Sequence, residues 1–237
     1  MSSTLQQRMK KILIVDDEED VTDLLEYNLK TEGYVVSTIN DPLQIMGAAK
    51  SIQPDLIILD IMMPDLNGMQ ICRMLKADSQ MEKVPVIFLT AKGEVEDRIQ
   101  GLETGADDYI CKPFDIREVK LRVQTLLKRS NLIKNNEKAE KITIAGVEID
   151  PTEYKVTVDG EEVKLTITEF NLLYLLMSRK GRVQTREHIL VSVWEYESDL
   201  ETRTIDTHVR RLRQKLGKDN DIIETVRGVG YRIKDKS

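Results

Sequence analysis

Three carboxylates, one hydroxyl and one ammonium stand where they could act together. Asp16 and Asp17 follow the apolar run Lys11–Val15, Asp60 follows Leu56–Leu59, Thr90 follows Val84–Leu89, and Lys112 follows Tyr109–Ile110. Each run reads as a strand, and in a parallel sheet all strand C-termini lie at one edge, where such folds bind ligands. Clustered carboxylates repel one another, which raises their pKa values unless a cation resolves the conflict. Hard oxygen donors with room for water suit Mg²⁺, which then screens an incoming phosphoryl group. A carboxylate can accept that group as an aspartyl-phosphate, the side chain being the nucleophile. Lys112 then pairs with the phosphate as a point charge, and Thr90 offers a hydrogen bond.

The elements that must position these groups are legible as alternating patterns. Strand-like runs at 11–15, 34–39, 56–59, 84–89 and 109–110 are separated by amphipathic segments at 19–32, 42–52, 67–77, 95–104 and 115–130. Five strands alternating with helices predict an α/β domain over 1–130, a doubly wound parallel sheet. The runs are apolar throughout, as expected of strands covered on both faces. Residues 131–141 are polar and read as a linker. From 142 to 237 the pattern changes to an α+β domain. Short strands at 142–145, 147–149, 154–158 and 162–166, with a turn signal at Asp159-Gly160, give an antiparallel sheet. Helices at 168–179, 185–194 and 202–216 follow, then strands at 222–226 and 229–233 joined through Gly228.

Composition sets the limits. With 237 residues, 41% hydrophobic and 32% charged, two folded domains are expected and a disordered chain is excluded. Ile12–Val15 is far shorter than the ~20 residues of a membrane span, so a cytoplasmic protein without membrane attachment is expected. Cys72 and Cys111 belong to no paired motif, which gives neither zinc site nor disulfide framework. A mononucleotide site would need a glycine-rich loop after the first strand, where Val15-Asp16-Asp17-Glu18 stands. An aspartyl phosphatase would commonly place an acid at position 62, which is Met. The site can thus take a phosphoryl group but has no obvious base for fast hydrolysis, a switch with a slow timer rather than an enzyme.

The net charge of −6 argues against nucleic acid only as a total. Residues 1–130 carry 16 Lys and Arg against 22 Asp and Glu, whereas 131–237 carry 19 of each, and within 203–232 eight basic residues face four acidic ones. That basic end holds the helix 202–216. Ile205, Val209, Leu212 and Leu216 form its apolar stripe, while Thr204, Thr207, His208 and Arg211 share another face flanked by Arg203, Arg210 and Arg213. Such a helix can enter the major groove, arginine reading guanine edges and threonine touching thymine methyls or phosphates.

Four motifs carry a resemblance. Lys11-Ile-Leu-Ile-Val-Asp-Asp-Glu, Asp55-Leu-Ile-Ile-Leu-Asp60-Ile-Met-Met-Pro64-Asp-Leu-Asn-Gly68, Leu89-Thr-Ala-Lys92 and Tyr109-Ile-Cys-Lys-Pro-Phe114 resemble the receiver domain of two-component response regulators, with its flavodoxin-like, CheY-like fold. The resemblance implies that Asp60 takes phosphate from the phosphohistidine of a sensor histidine kinase. It also implies that Asp17, Asp60 and the main-chain carbonyl of Met62 ligate Mg²⁺ with Asp16 acting through water, that Thr90 and Tyr109 form a switch pair, and that the Lys112–Pro113 bond is cis.

In the second half, Thr168-Glu-Phe-Asn-Leu-Leu, Val193-Trp194, Arg203-Thr-Ile-Asp-Thr-His-Val-Arg-Arg-Leu-Arg213 and Thr225-Val-Arg-Gly-Val-Gly-Tyr231 are similar to the winged-helix effector domain of OmpR/PhoB-type regulators. By that resemblance Arg203, His208 and Arg213 contact phosphates of promoter DNA and Thr204, Thr207 and Arg211 face bases. Arg227 reaches the minor groove, Thr225 and Tyr231 meet the backbone, and Trp194 donates its indole N–H to a phosphate. The loop that meets RNA polymerase in the family is acidic here, with Glu195, Glu197, Asp199 and Glu201, which leaves the polymerase contact and the sign of regulation open. The resemblance further implies a phosphorylation-favoured homodimer, with Arg98 to Glu118 and Asp108 to Arg122 as cross-subunit pairs around Leu102 and Leu121, and Asp107 on the same face. The alternatives are an output domain that works through protein contacts, or DNA binding indifferent to phosphorylation.

Overall fold

A computed structural model describes residues 8–91, 104–132, 140–194, 202–217 and 221–234, with only the backbone described at 129–132, 202 and 203. Two compact units emerge, Met1–Gly93 with Asp108–Lys120 and Glu94–Asp107 with Leu121–Ser237.

The first unit is built on β1 (Lys11–Val15), β2 (Val35–Ile39), β3 (Leu56–Asp60), β4 (Val86–Ala91) and β5 (Asp108–Lys112), a parallel sheet in the order β2-β1-β3-β4-β5. Ile12 pairs with both Val36 and Leu56, so β1 lies between the strands before and after the reversal of order. Every residue of β3 is buried, as expected for a strand packed on both faces. Helices α1 (Glu19–Thr31), α2 (Ile45–Ile52, after a single 3-10 turn at Pro42–Gln44) and α3 (Gly68–Ala77) present Leu25 and Leu29, Ala49, and Ile71 and Leu75 to the core. The fourth strand starts two residues later than its apolar pattern suggests. The Val84 amide closes a turn onto the Met81 carbonyl, and the strand runs on to include Thr90 and Ala91. Helix α4 (Ile116–Leu132) follows β5. The expected helix at 95–104 falls mostly outside the described residues.

In the second unit, β6 (Ile142–Ile144), β7 (Val147–Asp150), β8 (Lys155–Val158) and β9 (Glu161–Glu162) form an antiparallel sheet in chain order. Its tight turns place Ala145-Gly146 and Asp159-Gly160 at positive φ, as two-residue hairpins require. The strand expected at 162–166 is found as Glu161–Glu162, and Thr166 instead caps a helix. Its side chain accepts from the Glu169 amide while Glu169 Oε2 accepts from the Thr166 amide, a capping box. Helices α5 (Ile167–Ser178), α6 (Arg186–Trp194) and α7 (Thr202–Leu216) follow, and β10 (Gln184–Thr185), β12 (Gly230–Ile233) and β11 (Ile223–Val226) make a second sheet. Strand β10 escaped the sequence reading. It is two residues long, and Gly230 admits it, since a Cβ there would lie 2.0 Å from the Gln184 carbonyl oxygen. Phe170, Leu173, Ile189, Val193 and the α7 stripe Ile205, Val209, Leu212 and Leu216 share one core. Three helices and a terminal hairpin around it form a winged helix. Of the expected linker, 133–139 lies outside the described residues.

Candidate functional site

The strand ends of the first unit meet as expected. Asp16 and Asp60 are buried and Asp17 is exposed, and each can supply a carboxylate oxygen within 4.8 Å of the others. The Nζ of Lys112 lies 2.9 Å from Asp16 Oδ2 and 3.3 Å from Asp60 Oδ2. Burial, then the charge of Asp16, pushes the Asp60 carboxyl up to about 6, against the lowering effect of Lys112 and of a hydrogen bond from the Met62 amide. Burial also raises Asp16, outweighing its bonds to Lys112 and the Glu18 amide. Lys112 moves the other way, because the surrounding carboxylates overcome the effect of its own burial and raise its pKa. The hard oxygen donors and their crowding fit a divalent cation such as Mg²⁺.

Gly68 sets one wall of this site. A Cβ there would lie 2.0 Å from the Asp60 carbonyl oxygen, so only glycine lets the start of α3 lie against the end of β3. Asn67 fixes that start with a capping box to Gln70. Glu18 is a participant that sequence reading missed. Its Oε1 lies 2.9 Å from Lys112 Nζ, and its amide donates to Asp16 Oδ1 at 3.0 Å. The only signal was its place in the acidic run after β1.

Thr90 is buried, its hydroxyl 3.5 Å from the Ala91 carbonyl. Tyr109 is buried opposite Phe88, so Thr90, two residues on, shares its face of the sheet. The Met62 side chain is exposed, leaving its main chain to the site. The Lys112–Pro113 bond is cis.

The DNA candidates divide into an open and a buried set. In the open set Arg227 and Thr225 are exposed on the hairpin, and Arg213 reaches across to it, donating at 2.8 Å to both the Ile223 carbonyl and Thr225 Oγ1. Tyr231 is buried, its hydroxyl donating to Asp206, and burial followed by that bond pushes the phenol up to about 12. Arg186, missed from sequence, stacks 5.1 Å from the Tyr231 ring and pairs with Asp206 at 3.1 Å. The side chain of Arg203 lies outside the described residues.

The buried set is covered in this structure. Thr204, Thr207 and Arg211 are 5–6% exposed and His208 and Trp194 no more than 1%. The cause is packing within this unit. Arg211 Nη1 donates to the Ala106 carbonyl at 3.1 Å, Thr168 Oγ1 donates to the Asp107 carbonyl at 3.3 Å, and Asp107 acts electrostatically on His208. Among the described residues neither nitrogen of His208 nor Nε1 of Trp194 has a hydrogen-bond partner, and the two rings lie 5.3 Å apart. In this arrangement neither side chain presents a donor to a phosphate.

Several dimer candidates are covered as well. Asp107, Asp108 and Arg122 are buried, Asp108 accepting from the Tyr109 amide at 2.9 Å. Glu118 is half-buried, Leu121 exposed, and Arg98 and Leu102 lie outside the described residues.

Residues 12–124 match the family model described as response regulator receiver domain, and 160–233 the one described as transcriptional regulatory protein, C terminal. The response regulator ArlR of Staphylococcus aureus is 45% identical over 228 residues, covering 95% of this chain and all of that protein. The chain is a response regulator of the OmpR/PhoB type. Among solved structures, a RitR mutant is similar with a TM-score of 0.75 at 28% identity, covering 96% of this chain and all of that one. The Thermotoga maritima OmpR/PhoB homologue DrrB gives 0.51 at 31% identity, over 95% and 99% of the two chains. As a response regulator of this type, the protein is a phosphorylation-dependent transcription regulator of a two-component system. A histidine kinase and DNA are its partners, and its family is not one of catalytic enzymes. Receiver domains bind Mg²⁺ at such an acidic pocket. Among the described residues no helix is long and apolar enough to cross a membrane.

Proposed function

We propose that Asp60 is the phosphoacceptor of this response regulator. The observation that carries the proposal is the meeting of Asp16, Asp17, Asp60 and Lys112 at one sheet edge. One oxygen of Asp60 attacks the phosphorus of a kinase phosphohistidine, the P–N bond breaks, and the imidazole leaves with the bonding pair. Lys112 pairs with the transferred oxygens. Asp17, Asp60 and the Met62 carbonyl, with Asp16 through water, would hold a Mg²⁺, which would neutralise charge on the phosphoryl group. Met at position 62 offers no side-chain base for water, so the aspartyl-phosphate hydrolyses slowly. Thr90 and Tyr109 read the phosphate out.

Residues 1–130 act as the receiver, 131–141 as a linker and 142–237 as the cytoplasmic, promoter-binding effector. Arg203, His208, Arg213, Trp194, Thr225 and Tyr231 serve the DNA backbone, Thr204, Thr207 and Arg211 the bases, and Arg227 the minor groove. The buried state of the α7 face means that DNA can enter only after Thr104–Asp107 leaves it. Phosphorylation favours the form in which that face is free and in which Arg98, Leu102, Asp107, Asp108, Glu118, Leu121 and Arg122 pair two copies, raising occupancy through effective concentration. RNA polymerase is a further partner of the promoter-bound form.

The test is Asp60→Asn. Labelling by acetyl phosphate with Mg²⁺ is expected to vanish, together with the gain in affinity for a selected promoter duplex that labelling gives the wild type. Persistent labelling overturns the site.

A further inference from the structure

Glu169 is wholly buried, yet it is a charged group in the middle of the DNA-binding half. A buried carboxylate survives only with partners, and its partners lie on two helices. Oε2 accepts from the Thr166 amide at 2.8 Å, closing the cap of α5, and also lies 2.7 Å from Lys215 Nζ. Oε1 lies 2.9 Å from Arg211 Nε, an ion pair by charge and proximity and not by an aligned hydrogen bond. Arg211 and Lys215 stand one turn apart on α7, so a single carboxylate from α5 holds two successive turns of that helix. Burial alone would raise its pKa; the charges of Arg211 and Lys215 more than offset this and hold it ionised.

We infer that Glu169 is a positioning residue for DNA sequence readout, fixing the guanidinium of Arg211 for a base edge; the inference rests on the reading of Arg211 given above. The geometry supplies the reason. An ion pair on Nε leaves Nη1 and Nη2 free, and these can make the two parallel donations that a guanine O6 and N7 accept. In this structure Nη1 already meets a carbonyl oxygen, that of Ala106 at 3.1 Å, an acceptor of the same kind as O6. A long side chain drawn to a fixed charge beside its ε-nitrogen loses less freedom on binding than a free one. Glu169 touches no base and works only through Arg211.

The experiment uses the full chain treated with acetyl phosphate and Mg²⁺ and a random duplex pool. Wild type, Arg211→Ala, Glu169→Gln and the double variant are taken through selection and scored base pair by base pair. Glutamine at this position can still reach the Thr166 amide, so α5 keeps its cap, but it offers Arg211 no charge. Glu169→Gln is expected to weaken preference about tenfold at the same base pair as Arg211→Ala. The double variant should be no worse than Arg211→Ala, and affinity for a scrambled duplex and its salt dependence should be unchanged. A base preference that Arg211→Ala destroys and Glu169→Gln leaves intact overturns the inference while sparing Arg211. If Arg211→Ala leaves every position intact, the base-reading role fails and the inference with it. Should Glu169→Gln not fold, Glu169→Asp keeps the charge on a shorter arm. A weakened preference at the Arg211 base pair then supports the inference, and an unchanged one overturns it.

Discussion

His208 makes the burial of the α7 face measurable. Its ring is fully buried, neither nitrogen has a hydrogen-bond partner among the described residues, and burial, followed by the charge of Arg211, pushes its pKa down to about 3 against the raising influence of Glu169 and Asp107. The unfolded chain protonates this ring below about 6.5, while the folded chain does so only near 3. Between those values the unfolded state therefore binds the extra proton, and stability falls as pH falls. The slope is about 1.4 kcal/mol per pH unit, so the loss from this group is about 3 kcal/mol by pH 4. Urea unfolding can be followed through Trp194, the single tryptophan of the chain, whose ring lies 5.3 Å from that of His208. Other groups titrate in the same range, so the informative quantity is the difference between wild type and His208→Leu. The variant should lose this part of the acid slope and gain stability at pH 7, because no unpaired nitrogens are left buried. It should also bind promoter duplex more weakly, having lost a phosphate contact. Identical pH slopes for the two chains between pH 4 and 6.5 would refute the reasoning.

Gly68→Ala drives a methyl group into the Asp60 carbonyl, where a Cβ has only 2.0 Å. It is expected to cost at least about 2 kcal/mol by thermal melting and to impair phosphoryl labelling, since α3 must back away from the end of β3. A wild-type melting curve with full labelling would contradict the close approach. Lys112→Met removes the cation that Asp16 and Asp60 share at 2.9 and 3.3 Å. Mg²⁺ titration should then show equal or tighter binding, because an intramolecular competitor has gone, while acetyl phosphate labelling slows; the opposite pair of results would deny Lys112 its place on the phosphate.

How far the sequence could carry the argument depends on the distance over which each feature is decided. Asp16, Asp17, Asp60, Thr90 and Lys112 were legible because each follows a strand, and a parallel sheet brings strand ends to one edge whatever the loops do. The α7 stripe was legible because Ile205, Val209, Leu212 and Leu216 repeat at the helical period. Glu169 was not. Its capping box is local and was within reach, but its hold on Arg211 and Lys215 joins positions some forty residues apart, and no spacing records that. Nor could periodicity tell which side of α7 faces solvent. The face of Thr204, Thr207, His208 and Arg211 is polar and looks open in a helical projection, yet it is covered within its unit by a strip as short as Thr104–Asp107. A polar face can be buried at tolerable cost when its charges find partners, as Arg211 finds the charge of Glu169 and a carbonyl, and much of the remaining cost falls on His208 and Trp194, which have no hydrogen-bond partner among the described residues. Those unpaired groups are the ones assigned to phosphates. Exposing the face to DNA therefore releases a penalty that the covered state carries, so the covering contact can be weak and still be displaced by a modest shift in equilibrium.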